Sequence, residues 1–360
     1  MRIIAKIGTS SLTDALGVID RAVIADICRQ IARLRADGHE VVLVSSGAVS
    51  AGVSALGMSA RPTDMRTLQA LAAAGQSRLM EVYNAEFARH SLVAGQVLLV
   101  PHDFVDRQQY LHARETLECL IELGCIPVVN ENDAIANDEI RFGDNDHISA
   151  LLSHLLHADL LVLLTDIEGL YTADPRVDAT ATLVSEVAAG DALMSVSAGA
   201  TGSNRGSGGM ASKLSAARIA SWSGVRAVIA RATIPDVLLG VVAGQRIGTT
   251  FHGADRHLSS RQLWLAFASE IAGRILVDDG AARALSGGTS SLLPAGVRGV
   301  EGDFEAGDTV EIVGTEGRVV ARGTAVMGSV QARAAAGRHT SELDEGSPHV
   351  VVHRDALVLL

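Results

Sequence analysis

Two lysines occur in this chain, Lys6 in "KIGTSSLT" and Lys213 in "GSGGMASK" (206–213), and arginine supplies the rest of the basic charge. A chain that uses arginine elsewhere and keeps lysine at two places points to sites where a broad, planar guanidinium does not serve. Lysine offers a compact point charge on a thin stem, suited to a phosphoryl group in a tight pocket. Both lysines sit beside glycines and small hydroxyl residues. "GSGGMASK" is not a P-loop, because Met210, Ala211 and Ser212 separate Gly209 from Lys213. It still reads as a glycine turn opening a helix, whose free N–H groups attract phosphate. "SSGAVSAG" (45–52) repeats the pattern with Ser46 and Gly47.

Carboxylates and amides crowd "NENDAI" (130–135) and "GDNDHISA" (143–150). Asp144 fits a helix N-cap. The neighbouring Asn145 and Asp146 exceed what capping needs. Such a cluster suits an ammonium group, a bound Mg²⁺, or both lysines. "LLTDIEGLYTADPR" (163–176) places Thr165 and Asp166 at the end of an apolar run. His147, His154 and His157 have no third-ligand pattern for zinc and read as solvated helix positions.

The elements that must carry these residues follow from periodicity. Apolar runs at 2–7, 40–44, 92–100, 125–129, 159–164 and 226–230 read as strands, and amphipathic helices lie between them. Asp20 and Asp64 mark helix starts, and Gly38, Gly124 and Gly224 mark stops. This alternation predicts an α/β unit, a mostly parallel sheet sandwiched by helices, with ligands at the carboxyl ends of its strands. Those ends read "KIGTS", "SSGA", "NEND" and "TD". Beyond about residue 252 the pattern changes to short strands and turns, with a hairpin around "GTEG" (314–317). We expect a first domain over 1–255, a linker over 256–268 and a smaller β-rich domain over 269–355.

Hydrophobic residues make up 48% of the 360 and aromatics 3%, so the core must be aliphatic. A net charge of -11 argues against general nucleic-acid binding. Three cysteines without a CxxC pair fit a reducing, cytoplasmic setting. We expect no signal segment and no membrane anchoring, since no apolar run approaches the ~18 residues of a spanning helix.

Taken in order, "KIGTSSLT", "SSGAVSAG", "NENDAI", "GDNDHISA", "LLTDIEGLYTADPR" and "GSGGMASK" resemble the motifs of the glutamate 5-kinase family, within the amino-acid kinase superfamily. The C-terminal part is similar to a PUA domain. The usual glycine loop of that family carries threonines where Ser207 and Ser212 stand, so each hydroxyl is kept.

The resemblance implies the amino-acid kinase fold, ATP and Mg²⁺ as cofactors, and L-glutamate as substrate. It implies that Lys6 and Lys213 contact the phosphates and that Asp146 orients them. Ser46, Asp133 and Asn145 would bind glutamate, with Asn130 and Asp144 close by. Gly8, Gly47, Thr165, Asp166 and the run Ser207, Gly208, Gly209, Met210, Ala211, Ser212 and Lys213 would form the nucleotide site. Proline as feedback inhibitor and a homodimer or homotetramer are implied in the same way. The rival readings are a kinase for N-acetylglutamate, aspartate or a nucleotide, an RNA-binding PUA protein, and an amino-acid sensor without turnover.

Overall fold

The computed structural model describes residues 1–14, 17–104, 106–135, 145–189, 191, 209–254, 262, 265–266, 271–288, 290–342 and 348–359. The chain divides into two compact units, Met1–His257 and Leu258–Leu360. Among the described residues, no helix is long and apolar enough to cross a membrane.

Among the described residues the first unit is built on eight strands: β1 (Arg2–Ile7), β2 (Glu40–Ser45), β3 (Ala94–Leu99), β4 (Ile126–Glu131), β5 (Leu160–Thr165), β6 (Glu186–Val187), β7 (Arg226–Arg231) and β8 (Thr249–Phe251). Their order in the sheet is β3-β4-β2-β1-β5-β7-β8-β6. All pairings are parallel except that of β7 with β8. The two outlying strands β6 and β8 are too short to show a two-residue period, and the sequence reading has no place for them.

The helices are α1 (Thr9–Leu12), α2 (Arg21–Ala36), α3 (Ala48–Ala55), α4 (Met65–Ala88), α5 (Arg107–Glu122), α6 (Asn145–Leu155), α7 (Met210–Trp222) and α8 (Val237–Val242). Asp20, Asp64 and Asp106 cap α2, α4 and α5 by accepting hydrogen bonds from first-turn N–H groups. His157 lies past the end of α6, in left-handed backbone.

Strand alternation decides which side chains share a face. Ile3, Ala5 and Ile7 of β1 join a core with Ile24, Ile27 and Ile31 of α2 and Leu79, Tyr83 and Phe87 of α4. Lys6 falls on the opposite parity, and α6 packs against β1, β5 and α7. Register thus puts Lys6 on the α6 side of the sheet, the face it shares with the buried Ile4, rather than among Ile3, Ala5 and Ile7.

Helices α3 and α4 touch through glycines. A Cβ on Gly75 would lie 1.9 Å from the Ala48 carbonyl oxygen and 2.3 Å from the Gly52 nitrogen. Backbone cannot yield as a flexible side chain can, so Gly75→Ala forces α3 and the turn before it to move. The expected loss is about 3 kcal/mol by overpacking, read from urea unfolding. A loss below about 1 kcal/mol would contradict this close approach.

Among its described residues the second unit has five strands: β9 (Ile271–Val277), β10 (Val297–Gly302), β11 (Thr309–Val313), β12 (Val319–Ala325) and β13 (Val352–Leu359), in the order β10-β9-β11-β12-β13. Strands β11 and β12 form the expected antiparallel hairpin. Helices α9 (Asp279–Ser286) and α10 (Ser329–Ala335) accompany the sheet. Its core includes Ile275, Val277, Phe304, Val310 and Ile312. Glu311 lies opposite Arg274 on β9 and Arg322 on β12 and pairs with both, at 3.1 and 2.8 Å.

Candidate active site

The carboxyl ends of β1, β2, β4 and β5 lie side by side in the sheet and carry the motifs. From β1 comes Lys6, from the start of α6 comes Asp146, and from the first turn of α7 comes Lys213. Lys6 Nζ is 2.6 Å from Asp146 Oδ1, and Lys213 Nζ is 3.2 Å from Asp146 Oδ2. All three side chains are buried. Burial alone would raise the Asp146 pKa, but the Lys6 and Lys213 ammonium groups outweigh it and hold the carboxyl at about 2. The three groups sum to one positive charge in a shielded place, an arrangement that favours an anionic ligand.

Glycines stand at the strand and helix ends that carry this triad. A Cβ on Gly8 would lie 3.4 Å from Lys6 Nζ. Gly47 stands at φ 104°, a left-handed conformation that favours glycine, and begins α3. Gly209 is the N-cap of α7 and contributes no side-chain cap of its own. Such a helix start offers backbone donors to phosphate oxygens. Met210, Ala211 and Ser212 form the first turn with Lys213. These features fit a nucleoside triphosphate. Among the described residues, no group of three or more His, Cys, Asp or Glu forms a metal cage.

Beside the triad lies a polar chain of amides. The Glu131 backbone N–H donates to Asn145 Oδ1 at 3.0 Å. The Asn145 amide donates to Asn130 Oδ1 at 2.9 Å and to Ser46 Oγ at 3.1 Å. The Asn130 amide donates in turn to Gln76 Oε1 at 2.8 Å. Asn145 and Asp146 are consecutive, so the first turn of α6 joins the amide chain to the lysine triad. Asp133 is buried, and its Oδ1 has no hydrogen-bond partner among the described residues. Burial, with the nearby Glu131 charge, pushes its pKa up to about 7, against the opposing pull of Arg61.

The structure thus brings together Lys6, Lys213, Asp146, Ser46, Asn130 and Asn145. Thr165 and Asp166 stand at the end of β5, next to β1, where the Thr165 hydroxyl donates to Asp166 at 3.0 Å. Asp144, Ser207 and Gly208 lie outside the described residues. Two participants escape the sequence reading, both on α4. One is Gln76; the other is Tyr83, whose hydroxyl bonds Ser45 Oγ at 2.8 Å beside Ser46. Their signal is a polar atom within the buried stripe Leu68, Leu71, Ala72, Leu79, Met80.

The chain belongs to the amino acid kinase family, whose profile matches residues 1–231, and a PUA domain profile matches residues 273–346. Within that family many of its full-length relatives are glutamate 5-kinases. It is 44% identical over 363 residues to the glutamate 5-kinase of Ralstonia nicotianae, covering 100% of this chain and 97% of that protein. The glutamate 5-kinase of Herpetosiphon aurantiacus is 45% identical over 362 residues, covering 99% and 98%. That of Pelobacter propionicus is 44% identical over 363 residues, covering 100% and 97%.

Proposed function

We propose that this chain transfers the γ-phosphoryl group of ATP to the γ-carboxylate of L-glutamate, giving L-glutamyl 5-phosphate, the first step of proline biosynthesis. The observation that carries the reading is the buried carboxylate of Asp146 with one ammonium group on each oxygen. The full-length likeness to glutamate 5-kinases supports the choice of substrate.

The nucleophile needs no general base. A glutamate side chain has a pKa of about 4.3 and is ionised at neutral pH. What the reaction needs is positive charge, because an anion must approach a triphosphate. Lys6 and Lys213 supply it, and Asp146 keeps both ammonium groups convergent. Catalysis is then positioning with electrostatic stabilisation. Mg²⁺, when bound with ATP, would add charge neutralisation. Gly8, Gly47, Thr165, Asp166 and the Ser207–Lys213 loop hold the nucleotide. Ser46, Asn130, Asp133, Asp144 and Asn145 hold glutamate.

The kinase chemistry is assigned to residues 1–255, with 256–268 as connector and 269–355 as the PUA-like domain. The protein acts in the cytoplasm as a homodimer or homotetramer, and proline competes with glutamate. Incubation with Mg-ATP, L-glutamate and hydroxylamine tests the activity. γ-Glutamyl hydroxamate is expected. Hydroxamate from aspartate or N-acetylglutamate in its place would overturn the substrate assignment.

Asp133 makes glutamate binding pH-dependent. Its carboxyl, raised to about 7, is protonated in much of the free enzyme at neutral pH. The substrate's α-ammonium pairs with the ionised form. Affinity therefore increases as pH rises through 7, and KM for glutamate falls about tenfold from about pH 6 to about pH 8. Asp133→Asn is expected to give a high KM that no longer varies with pH over this interval. A variant that kept the wild-type KM profile would show that Asp133 does not face the ammonium group.

A further inference from the structure

We propose that Gln76 is a positioning residue for the amino-acid substrate, one that holds Asn130 in the amide chain ending at the Ser46 hydroxyl. The inference rests on the reading that this site binds glutamate.

The two ends of a carboxamide are alike in shape, and its direction follows from its partners. One member of this chain cannot reverse. The Glu131 backbone N–H is a donor only, and it faces Asn145 Oδ1 at 3.0 Å. The Asn145 NH₂ must then be the end that meets Asn130 Oδ1 and Ser46 Oγ. Asn130 is left with its own NH₂ toward α4, where only an acceptor satisfies it. Gln76 Oε1 is that acceptor, at 2.8 Å. Turning any one of these amides over would set donor against donor. Ser46 Oγ accepts from Asn145, so its own hydrogen remains available to a carboxylate oxygen of the substrate.

Gln76 is 7% exposed, and its Nε2 has no hydrogen-bond partner among the described residues. A residue selected for packing alone would be apolar here, because a buried amide with one unsatisfied N–H costs stability. What glutamine adds at this position is the oxygen that holds Asn130. Gln76 does not touch Asn145, and its influence on Asn145 and Ser46 passes through Asn130.

Gln76→Met tests this, since methionine matches the length and suits a helix interior. KM for glutamate is expected to rise about tenfold, the effect of one lost orienting hydrogen bond, with kcat and KM for ATP within about twofold. In an Asn130→Ala background the same change is expected to have almost no further effect on KM for glutamate, because the side chain that Gln76 holds is already gone. Gln76→Leu is a second variant and should give the same split. Retention of the wild-type KM in both variants would overturn the inference. So would additive effects of Gln76→Met and Asn130→Ala, which indicate a packing role. Wild-type protein that forms no γ-glutamyl hydroxamate would instead count against the substrate reading itself.

Discussion

Lys213→Arg lowers kcat by about two to three orders of magnitude while leaving KM for glutamate within about threefold. The substitution keeps the charge, so a loss of this size separates shape from charge. Lys213 is buried in the first turn of α7, with its ammonium 3.2 Å from Asp146 Oδ2. A guanidinium there is broader and presents a planar fork of donors that matches a carboxylate. It would take both Asp146 oxygens and displace Lys6, which now holds Oδ1 at 2.6 Å. The ion pair would survive and the fold with it, but the two cations would no longer converge on one phosphoryl group. Steady-state kinetics with saturating ATP and glutamate check the result. Near-normal turnover would remove the case for lysine at this position.

Asp146→Asn is the second large effect. It removes the single carboxylate that accepts both ammonium groups. The expected fall in kcat is about a thousandfold, because both lysines lose their aim at once. Stability should fall too, since two buried ammonium groups are left without this counter-charge. The wild-type contribution has a defined pH window. The Asp146 pKa falls from 3.8 to about 2 on folding, as the two lysines outweigh the upward push of burial. A depressed carboxyl pKa stabilises the fold at pH values above 3.8 and loses that contribution as pH drops toward 2. The difference is about 2 kcal/mol and should be absent from the acid unfolding curve of Asp146→Asn. An acid limb identical in the two proteins would contradict the ion-pair assignment.

The lysine pair was legible because the chain uses arginine nearly everywhere else. Its convergence was legible only in outline. The parity of β1 sends Lys6 away from the face of Ile3, Ala5 and Ile7, which sequence alternation alone implies. That Asp146 takes both cations depends on the phase of α6 against α7, which no local pattern in "GDND" sets. Gln76 and Tyr83 stayed hidden for a different reason. A helix that reads as amphipathic gives no hint which buried polar atom has a partner, and the partners here are 54 and 38 residues away in sequence. The six main strands carry enough apolar residues to be recognised. Strands β6 and β8, of two and three residues, owe their existence to neighbours rather than to their own sequence.

The most direct test of the lysine cradle is calorimetric binding of ADP with magnesium, L-glutamate and aluminium fluoride, a mimic of the phosphoryl group in transit. In Lys6→Met the affinity for this assembly should fall at least about a hundredfold, while that for ADP alone changes less than about threefold. Equal loss for both ligands, or no loss for either, would place the moving phosphoryl group away from Lys6 and Lys213.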